Sequence, residues 1–382
     1  MTTRMLAPAA ALCALFALSL PARAQCRDGL LLSATAPTGA GLGESLDVSG
    51  GFAFAGATLD TTHGTNAGSV SVFEYGPTGF VERQKLFPPS PMAFDHFGQS
   101  LAADGPWLVV GTQDNVSGLS PGAGVVYHLD NGSWSWSQTL SAPGVSPFPY
   151  VGDSVAIEGE RIALGAPGLS NQVGAVYVFE LQAGAWVPVA TVQPQGAQII
   201  RGFGCEVALS GDRMIVGATF VSGGGLAPGA AFVFELQQGV WVQTARLIAS
   251  DAHWSDVYGQ CVDLDGDTAV VTGWWHDSAG GRRGAVWIFE HESGSWSEAQ
   301  KLVGTPINGS RFGFSADLDG DRLLVGATSD GGWFPTPSFA ELFRRGAQGF
   351  QSELVVPGPS PTAGIGFGTS VHLWGDSMLV GN

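Results

Sequence analysis

Positively charged residues are scarce in this chain of 382 residues. It has 16 Lys and Arg against 33 Asp and Glu, which gives a formal net charge of −17. A surface with this balance repels the phosphates of nucleic acids and of anionic lipids. The composition therefore predicts partners other than nucleic acid or an anionic membrane surface.

Cysteine is also scarce, with four residues in the whole chain. Three of them, Cys26, Cys205 and Cys261, lie beyond residue 24. Three cysteines form at most one disulfide, so packing must hold the fold together. Cys205 and Cys261 begin neighbouring strands one residue out of step, so their side chains should point to opposite faces. We therefore expect these two residues not to pair.

A long apolar run is found only at the N-terminus. Residues 1–24 contain Arg4, an apolar core over residues 9–20 and the small-residue pattern Ala22-Arg23-Ala24. This pattern predicts a secretory signal peptide, with the mature chain starting near Gln25. The core is shorter than the ~20 residues that span a bilayer, and no second apolar run follows. We therefore expect a secreted, extracellular or cell-surface product without a membrane span.

Removal of this signal makes the chain more acidic. It takes away two arginines and no acid, which leaves 14 basic and 33 acidic residues and a net charge of −19. This charge favours solubility and is compatible with cation binding, without demonstrating it.

After residue 24 the sequence lacks long stretches with helical periodicity. Glycine is abundant (57 residues), and so are aromatic residues, with 22 Phe, 12 Trp and 5 Tyr. This is the composition of an all-β, turn-rich protein.

One pattern recurs seven times at intervals of 52 to 55 residues. Each copy opens at a glycine, and these are Gly43, Gly98, Gly152, Gly204, Gly259, Gly313 and Gly368. Such regular spacing indicates a propeller or a solenoid. The third copy shows four strands most clearly, at residues 152–157, 161–167, 174–180 and 186–192. Hairpins between them would give one antiparallel sheet per copy.

The third strand of each copy is apolar at nearly every position, as at residues 176–179, 232–234 and 286–289. Continuous apolarity in a short strand means that both faces of its sheet are covered. A ring of blades provides that cover, because each sheet packs between two neighbours. The sequence therefore predicts an all-β, seven-bladed β-propeller over residues 25–382.

The opening residues resemble a known repeat. Phe-Gly pairs begin four copies, at residues 97–98, 203–204, 312–313 and 367–368, and Gly-Ala or Gly-Ala-Pro follows at residues 56–57, 165–167, 217–218 and 326–327. This combination resembles the FG-GAP repeat, which builds the seven-bladed propeller of integrin α chains and occurs in many secreted bacterial proteins. The resemblance covers essentially all of the mature chain. It implies the fold but does not specify a ligand.

Integrin-like members of that family carry calcium loops of the form Asp-x-Asp-x-Asp-Gly-x-x-Asp between the first and second strands. The fifth and sixth copies have shorter turns with acids at Asp263, Asp265, Asp267, Asp317, Asp319 and Asp321. In these turns the glycine comes one position earlier than in the calcium-loop pattern, and the next strand begins directly after it. Such short turns do not supply the roughly six to eight oxygen ligands that calcium needs. We interpret them as hairpin turns and expect no metal and no cofactor, with calcium binding as the alternative.

Two loops of the fifth copy carry side chains that are typical of binding surfaces. If successive strands alternate in direction, the loops at residues 251–256 and 274–277 lie on the same face of the ring. Aromatic side chains on the loops of a rigid scaffold favour binding. The candidate ligand-binding residues are His253, Trp254, Trp274, Trp275, His276 and Asp277. Alternatively, the tryptophans fold back and cap the blade. A metal site formed by His253 and His276 has less support, because no third ligand accompanies them.

No catalytic residues are predicted, since the sequence has no phosphate-binding loop and no His-Glu-x-x-His pattern. We therefore expect a non-catalytic propeller for recognition of, or adhesion to, an extracellular protein or glycan. One alternative is a propeller module of a carbohydrate-active or other extracellular enzyme, which would need carboxylates facing one another near the axis. A second is a calcium-dependent adhesin.

Three acceptor patterns for N-glycosylation begin at Asn115, Asn131 and Asn308. They predict a glycoprotein only if the source glycosylates its secreted proteins.

The seventh copy contains a first and a second strand before Asn382. An apolar segment at residues 28–35 has the spacing of a fourth strand before Gly43. The second and fourth strands of a blade run parallel, so this segment should not fill the gap by itself. We expect the ring to close here with an incomplete last blade, in a sequence shortened by about half a repeat.

Overall fold

The computed structural model shows an all-β protein. It describes residues 15–19, 29–31, 39–77, 79–112, 121–142, 150–168, 173–196, 199–222, 228–253, 255–277, 283–304, 310–329, 337–359 and 366–381. All regular secondary structure in these ranges is β. None of the described segments forms a helix long and apolar enough to cross a membrane.

Two short strands come first, β1 (Leu15–Ser19) and β2 (Gly29–Leu31). Six four-stranded antiparallel sheets follow, and each takes the four strands of one repeat. We call them blades one to six.

The first three blades lie in the first half of the chain. Blade one contains β3 (Leu42–Ser49), β4 (Phe52–Ala57), β5 (Ser69–Gly76) and β6 (Gly79–Leu86). Blade two contains β7 (Leu101–Asp104), β8 (Trp107–Thr112), β9 (Ala123–Asp130) and β10 (Ser133–Leu140). Blade three contains β11 (Val155–Glu158), β12 (Arg161–Ala166), β13 (Ala175–Gln182) and β14 (Ala185–Val192).

Blade four is accompanied by a small two-stranded sheet. That sheet pairs β15 (Ile199–Arg201) with β18 (Phe220–Ser222). The blade itself contains β16 (Val207–Ser210), β17 (Arg213–Ala218), β19 (Ala230–Gln237) and β20 (Val240–Leu247).

The last two complete blades follow the same order. Blade five contains β21 (Val262–Asp265), β22 (Thr268–Gly273), β23 (Ala285–Glu292) and β24 (Ser295–Leu302). Blade six contains β25 (Phe312–Asp319), β26 (Arg322–Ala327), β27 (Phe339–Gly346) and β28 (Gly349–Pro357). The prediction of a β-propeller of four-stranded antiparallel blades is confirmed.

The hydrophobic core lies between the blades. One cluster combines Val178 of blade three with Phe232 and Trp241 of blade four, and the other junctions are filled in the same way. The first five residues of β13 are fully buried because this strand is covered on both faces. The aromatic residue that begins an outer strand also packs across a junction. Trp134 lies edge-on against Phe54 of the preceding blade, with ring centroids 5.0 Å apart.

Side chains tie each blade to the next by hydrogen bonds. Gln84 donates to the carbonyl of Trp134 at 2.7 Å and accepts its N–H at 3.0 Å. Near the axis, a serine hydroxyl donates to the carbonyl of the next opening glycine at 2.6 to 3.0 Å; the serines are Ser45, Ser100, Ser154, Ser315 and Ser370.

Close approach at these junctions requires glycine at the end of the second strand. A side chain there would place its Cβ 2.0 to 2.2 Å from a backbone carbonyl oxygen of the next blade, at Gly56, Gly111, Gly165, Gly217, Gly326 and Gly381. The fifth copy differs, because Thr272 stands at this position.

The seventh copy contributes β29 (Val371–Trp374) and β30 (Ser377–Val380). Strand β29 contacts the inner strands of blades six and one. The Ser370 hydroxyl reaches the carbonyl of Gly43 at 2.7 Å, which joins the last copy to the first. The chain therefore forms a closed ring around the axis.

A further antiparallel sheet forms at this seam, in the order β2-β1-β30-β29. Strand β2 is its outer strand, within the segment where the spacing predicts one. As predicted, β2 does not fill the gap by itself, because β1 lies between β2 and β30 and restores the antiparallel alternation. Strand β1 comes from the predicted signal peptide. The described residues form six blades of four strands each, not the predicted seven, and the last copy supplies only two strands.

Candidate functional site

The two loops of blade five lie together, as the sequence predicts. The N–H of Trp275 donates to the carbonyl of Asp256 at 3.1 Å, and the side chains of His276 and Asp256 meet at 2.8 Å. His253 and Asp277 are exposed, whereas His276 is buried. Trp254 lies outside the described residues.

His276 belongs to a network of charged side chains. Its Nδ1 lies 2.8 Å from Asp256 Oδ2, and its Nε2 lies 2.7 Å from Lys301 Nζ. Lys301 can only donate, so Nε2 accepts and Nδ1 carries the proton. Lys301 also contacts Asp251 at 2.6 Å. Partial burial opposes ionisation of Asp251, but the hydrogen bond and charge of Lys301 together with the hydrogen bond from Trp287 outweigh it and lower the pKa of that carboxyl.

A matching pair in blade one points to a structural role for His276. Asp60 occupies the corresponding position there and contacts Lys85 at 2.5 Å. Burial favours the neutral acid, but hydrogen bonds from Lys85 and two hydroxyls lower the pKa of Asp60 to about 2. His276 therefore replaces a carboxylate that anchors the loop. Both of its ring nitrogens contact protein groups, so the alternative of a metal pair with His253 has no support.

Trp274 and Trp275 are half-buried at the junction of blades five and six, and their ring centroids are 4.9 Å apart. The guanidinium of Arg311 lies over both rings, at 5.0 Å and 5.7 Å. Phe314 of blade six packs on Trp274 at 5.7 Å. The tryptophans therefore do not simply cap blade five, since they form a cationic and aromatic surface across two blades.

A second cluster lies on the axis and was missed by the sequence analysis. The fourth residue after the opening glycine is Asp263 in blade five, Asp317 in blade six, His372 in the seventh copy and Asp47 in blade one. These four positions lie on consecutive inner strands. The corresponding residues of the other three copies are alanines, Ala102, Ala156 and Ala208. Alignment of the copies at this position would have revealed the cluster.

His372 bridges two of these carboxylates. Its Nε2 lies 3.1 Å from Asp47 Oδ1, and its Nδ1 lies 3.3 Å from Asp317 Oδ1. Burial disfavours the imidazolium, but the carboxylates of Asp317 and Asp47 outweigh this effect and raise the pKa of His372 to about 10. The histidine is therefore a cation at neutral pH and links the first blade to the sixth.

The axial aspartates also bind backbone of the next copy. Asp47 accepts the N–H of Ala103, and Asp317 accepts the N–H of Leu373, each at 2.7 Å. Asp263 accepts the N–H of Leu318 at the same distance. Burial and the neighbouring Asp317 raise the pKa of Asp263.

Two further acids in the inner part of the ring hold protons unusually strongly. Burial, with the charges of Asp153 and Asp263, raises the pKa of Glu206 to about 8. Burial raises the pKa of Asp153 to about 6, although Gln99 donates a hydrogen bond to it at 2.8 Å. The inner part of the ring thus carries buried acids whose charges act on one another.

The six acids of the calcium-like turns do not converge. Asp263 and Asp265 accept backbone N–H groups of blade six. Asp267 pairs with Arg213 at 2.6 Å, and Asp321 pairs with Arg344 at 2.8 Å. Asp319 binds Arg322, and Asp317 belongs to the axial cluster. In the described ranges, no group of three or more His, Cys, Asp or Glu residues is arranged to hold a metal ion.

Cys205 and Cys261 are free thiols. Their sulfur atoms lie 3.4 Å from the carbonyl of Gly259 and 3.8 Å from that of Ala316. The Cys205 thiol therefore contacts the next opening glycine as the junction serines do, whereas the Cys261 thiol does not, and burial raises the pKa of each. Cys26, Asn115 and Asn308 lie outside the described residues, while Asn131 lies in the β9–β10 turn with a φ of 51°.

The opposite face contains clefts between neighbouring turns. One of about 560 Å³ is lined by Glu158, Arg161, Glu180 and Asp212, among others. Arg161 crosses it to bind the carbonyl of Gly211 and the carboxylate of Asp212, both at 2.9 Å. The guanidinium of Arg161 is therefore bound by residues of blade four.

One serine pattern was also missed. Residues 118–122 read Gly-Leu-Ser-Pro-Gly, which matches the Gly-x-Ser-x-Gly motif of hydrolases. That motif needs a strand–turn–helix context, and no helix occurs in the part of the chain that the structure describes. Ser120 itself lies outside the described residues.

Comparison with solved structures supports the fold. A candidate 6-phosphogluconolactonase from Bacteroides uniformis aligns with a TM-score of 0.56 and 13% identity, covering 90% of this chain and 98% of that one. A hypothetical selenium-binding protein from Sulfolobus tokodaii aligns with a TM-score of 0.54 and 10% identity, covering 92% of each chain. A prolyl endopeptidase aligns with a TM-score of 0.51 and 14% identity, covering 95% of this chain and 51% of the enzyme. At these identities the likeness shows the propeller fold alone.

Sequence comparison identifies the repeat. No curated protein matches the sequence. The family model of the FG-GAP repeat matches residues 186–234 and 241–289, which run from the outer strand of blade three into β23 of blade five. Together with the recurring blades, this match shows that the chain contains FG-GAP repeats and that its repeats form a β-propeller.

Proposed function

We propose that this protein is a secreted or cell-surface propeller that recognises an extracellular protein or glycan without catalysing a reaction. The observation that carries the proposal is the surface formed by Trp274, Trp275, Arg311 and Phe314 at the junction of blades five and six. Half-buried tryptophans next to an arginine are typical of the residues that dominate binding energies. They are held on a rigid ring, so little ordering is needed on binding.

Replacement of both tryptophans tests this surface. Binding of the wild-type chain would be measured on a glycan array and on immobilised extracellular-matrix proteins. Trp274→Ala together with Trp275→Ala should weaken the strongest interaction at least about tenfold, since it removes the aromatic contact area. Trp136→Ala is the control, because this tryptophan is 53% exposed on the outer strand β10. Unchanged binding by a folded double variant would reject the surface.

We further propose that the seventh copy completes a seventh blade at the seam. The sheet β2-β1-β30-β29 supports this view, and so does the contact of β29 with both neighbouring inner strands. Strand β1 and the predicted cleavage of residues 1–24 exclude one another in the same molecule. N-terminal sequencing of the exported protein separates them: a start near Gln25 supports the signal peptide and removes β1, whereas an intact N-terminus supports β1.

A second candidate function is a carbohydrate-active or other extracellular enzyme. The acids near the axis support it, because glycosidases work with pairs of carboxyl groups of which one holds its proton. Glu206 and Asp263 both have raised pKa values. Glycoside hydrolysis that Glu206→Gln abolishes would establish this function; absence of hydrolysis on a broad panel of chromogenic glycosides would remove it.

A calcium-dependent adhesin has less support, because the acids of the calcium-like turns bind protein donors. Titration calorimetry and thermal unfolding with calcium chloride decide whether these turns bind calcium. We expect neither a heat of binding in the titration nor a change in the melting temperature. A stoichiometric heat, lost in Asp265→Asn, would restore the adhesin.

A further inference from the structure

The junction of blades five and six differs from the others at its closest point. Elsewhere a glycine at the end of the second strand lets the next blade approach, whereas here Thr272 lies against Gly313. The usual hydrogen bond to the next opening glycine is also replaced, since the thiol of Cys261 contacts the carbonyl of Ala316 instead. This junction therefore has a different arrangement from that of its neighbours.

Buried polar groups without partners are concentrated at this junction. The described residues include nine buried side-chain nitrogen or oxygen atoms that lack a hydrogen-bond partner. Four of them lie here: Thr272 Oγ1, Trp274 Nε1, Ser310 Oγ and Thr328 Oγ1. The residues Thr272, Ser310 and Thr328 are at most 2% exposed. Buried polar groups normally have a partner in the protein or in bound water, so this concentration marks the junction as a place where a bound molecule would find donors and acceptors.

These groups lie on adjoining segments. Residues 272–275 of blade five touch residues 310–314 of blade six through Arg311, Phe314 and Gly313. Phe312 pairs with Ala327 in the sheet, which brings Ser310 and Thr328 onto facing stretches of chain. Thr272 and Trp274 therefore lie on the blade-five side of this junction, and Ser310 and Thr328 lie on the blade-six side.

The sequence explains why one of them lacks a partner. In blade one, Thr58 occupies the position of Thr328, and its hydroxyl binds the carboxylate of Glu44. In blade six the position of Glu44 is taken by Phe314. An acceptor has thus been replaced by an aromatic ring, while the hydroxyl has been kept.

We infer that this junction binds a sugar residue, whose hydroxyl groups pair with Thr272, Ser310, Thr328 and the indole N–H of Trp274 beside the aromatic side chains. Three of the four groups are hydroxyls, which both donate and accept, and this matches the hydroxyls of a sugar better than a charged side chain. Aromatic walls with a few polar groups are typical of ligand sites. The groups are covered in the free protein, so Trp274 must move when the sugar enters. This inference rests on the proposed recognition function and assigns its ligand as a glycan.

Saturation-transfer NMR with D-galactose, D-glucose, D-mannose and N-acetylglucosamine tests the inference. We expect transfer to at least one sugar with the wild-type chain. Thr272→Gly should weaken binding at least about tenfold, because it removes one hydroxyl and restores the residue of the other junctions. Trp274→Thr, which installs the residue of blades one and six, should do the same. Trp136→Ser on β10 is the control and should leave the affinity unchanged.

Each outcome is decisive. No transfer to any of the four sugars, or equal transfer in Thr272→Gly and the wild-type chain, overturns the sugar site. Retained binding to a protein partner through Trp274 and Trp275 would then leave the recognition function standing. A crystal structure in the presence of the sugars that shows only water at the four groups would likewise overturn the inference.

Discussion

At the scale of single residues, His372 has the clearest physical role. It is the only cation among the four residues of the axial cluster, and it contacts carboxylates of the first and sixth blades. Its side chain is 21% exposed, and those of Asp47 and Asp317 are 14% and 21% exposed. At this burial the charges are poorly solvated, so removal of the histidine leaves two carboxylates uncompensated.

His372→Ala should therefore lower the free energy of unfolding by about 2–4 kcal/mol. Urea unfolding at pH 7 followed by tryptophan fluorescence measures this loss. His128→Ala is the control, because the half-buried His128 pairs with Asp130, which is 62% exposed, and loss of this pair should cost less than about 1 kcal/mol. Equal stability of the two variants would contradict the role of His372 as the link across the seam.

At the scale of elements, the end of the second strand decides how closely two blades approach. A methyl group at Gly165 would lie 2.1 Å from the carbonyl oxygen of Gly204, which belongs to the backbone of the next blade. The pattern Gly-Ala-Pro therefore reflects a steric requirement of the junction.

Gly165→Ala should destabilise the protein by at least about 3 kcal/mol, since the blades must separate to make room. Gly76→Ala is a matched control, because its Cβ would find its nearest atom at 3.7 Å. Thermal unfolding of both variants gives the comparison. A melting temperature for Gly165→Ala equal to that of Gly76→Ala would show that the junction can widen at no cost.

At the scale of the whole molecule, the acidic interior sets the pH dependence of stability. Glu206 and Asp153 have folded-state pKa values of about 8 and about 6, above the ordinary values of 4.5 and 3.8. Between the two values of each group, the folded protein holds a proton that the unfolded chain has released. Stability therefore falls as the pH rises through this range.

The stability that His372 contributes through its carboxylate partners also falls as the pH rises. Its folded pKa of about 10 exceeds the ordinary 6.5, so its contribution is complete below pH 6.5 and is lost as the pH rises through 10. Asp60 stabilises the fold above about pH 4, and this contribution is lost as the pH falls towards 2, because its folded pKa is lowered to about 2.

The melting temperature should therefore fall steadily from about pH 5 to about pH 9. Glu206→Gln should flatten the part of this curve below about pH 8, because the amide does not ionise. Differential scanning calorimetry at constant ionic strength measures both proteins. A melting temperature that rises over this range in the wild-type chain would refute the assignment of raised pKa values to the inner acids.

The sequence by itself determined the class and most of the architecture. Regular spacing of the opening glycines and continuous apolar third strands are local properties, and they were sufficient to predict antiparallel four-stranded blades packed in a ring. The loops of blade five were also placed on one face correctly, because strand alternation follows from hairpin connections. His276 was selected by residue type alone, and its buried network shows why residue type does not separate an anchor from a ligand.

Only the tertiary structure decided which distant residues meet. Asp47 and His372 are 325 positions apart, and their contact depends on closure of the ring. The insertion of β1 at the seam and the unpartnered groups at Thr272, Ser310 and Thr328 likewise have no local signal. Local patterns determine the blades because hydrogen bonds within a hairpin join near neighbours. The axial cluster and the junction site depend instead on the packing of blades, where the position of each side chain is set by residues of another repeat.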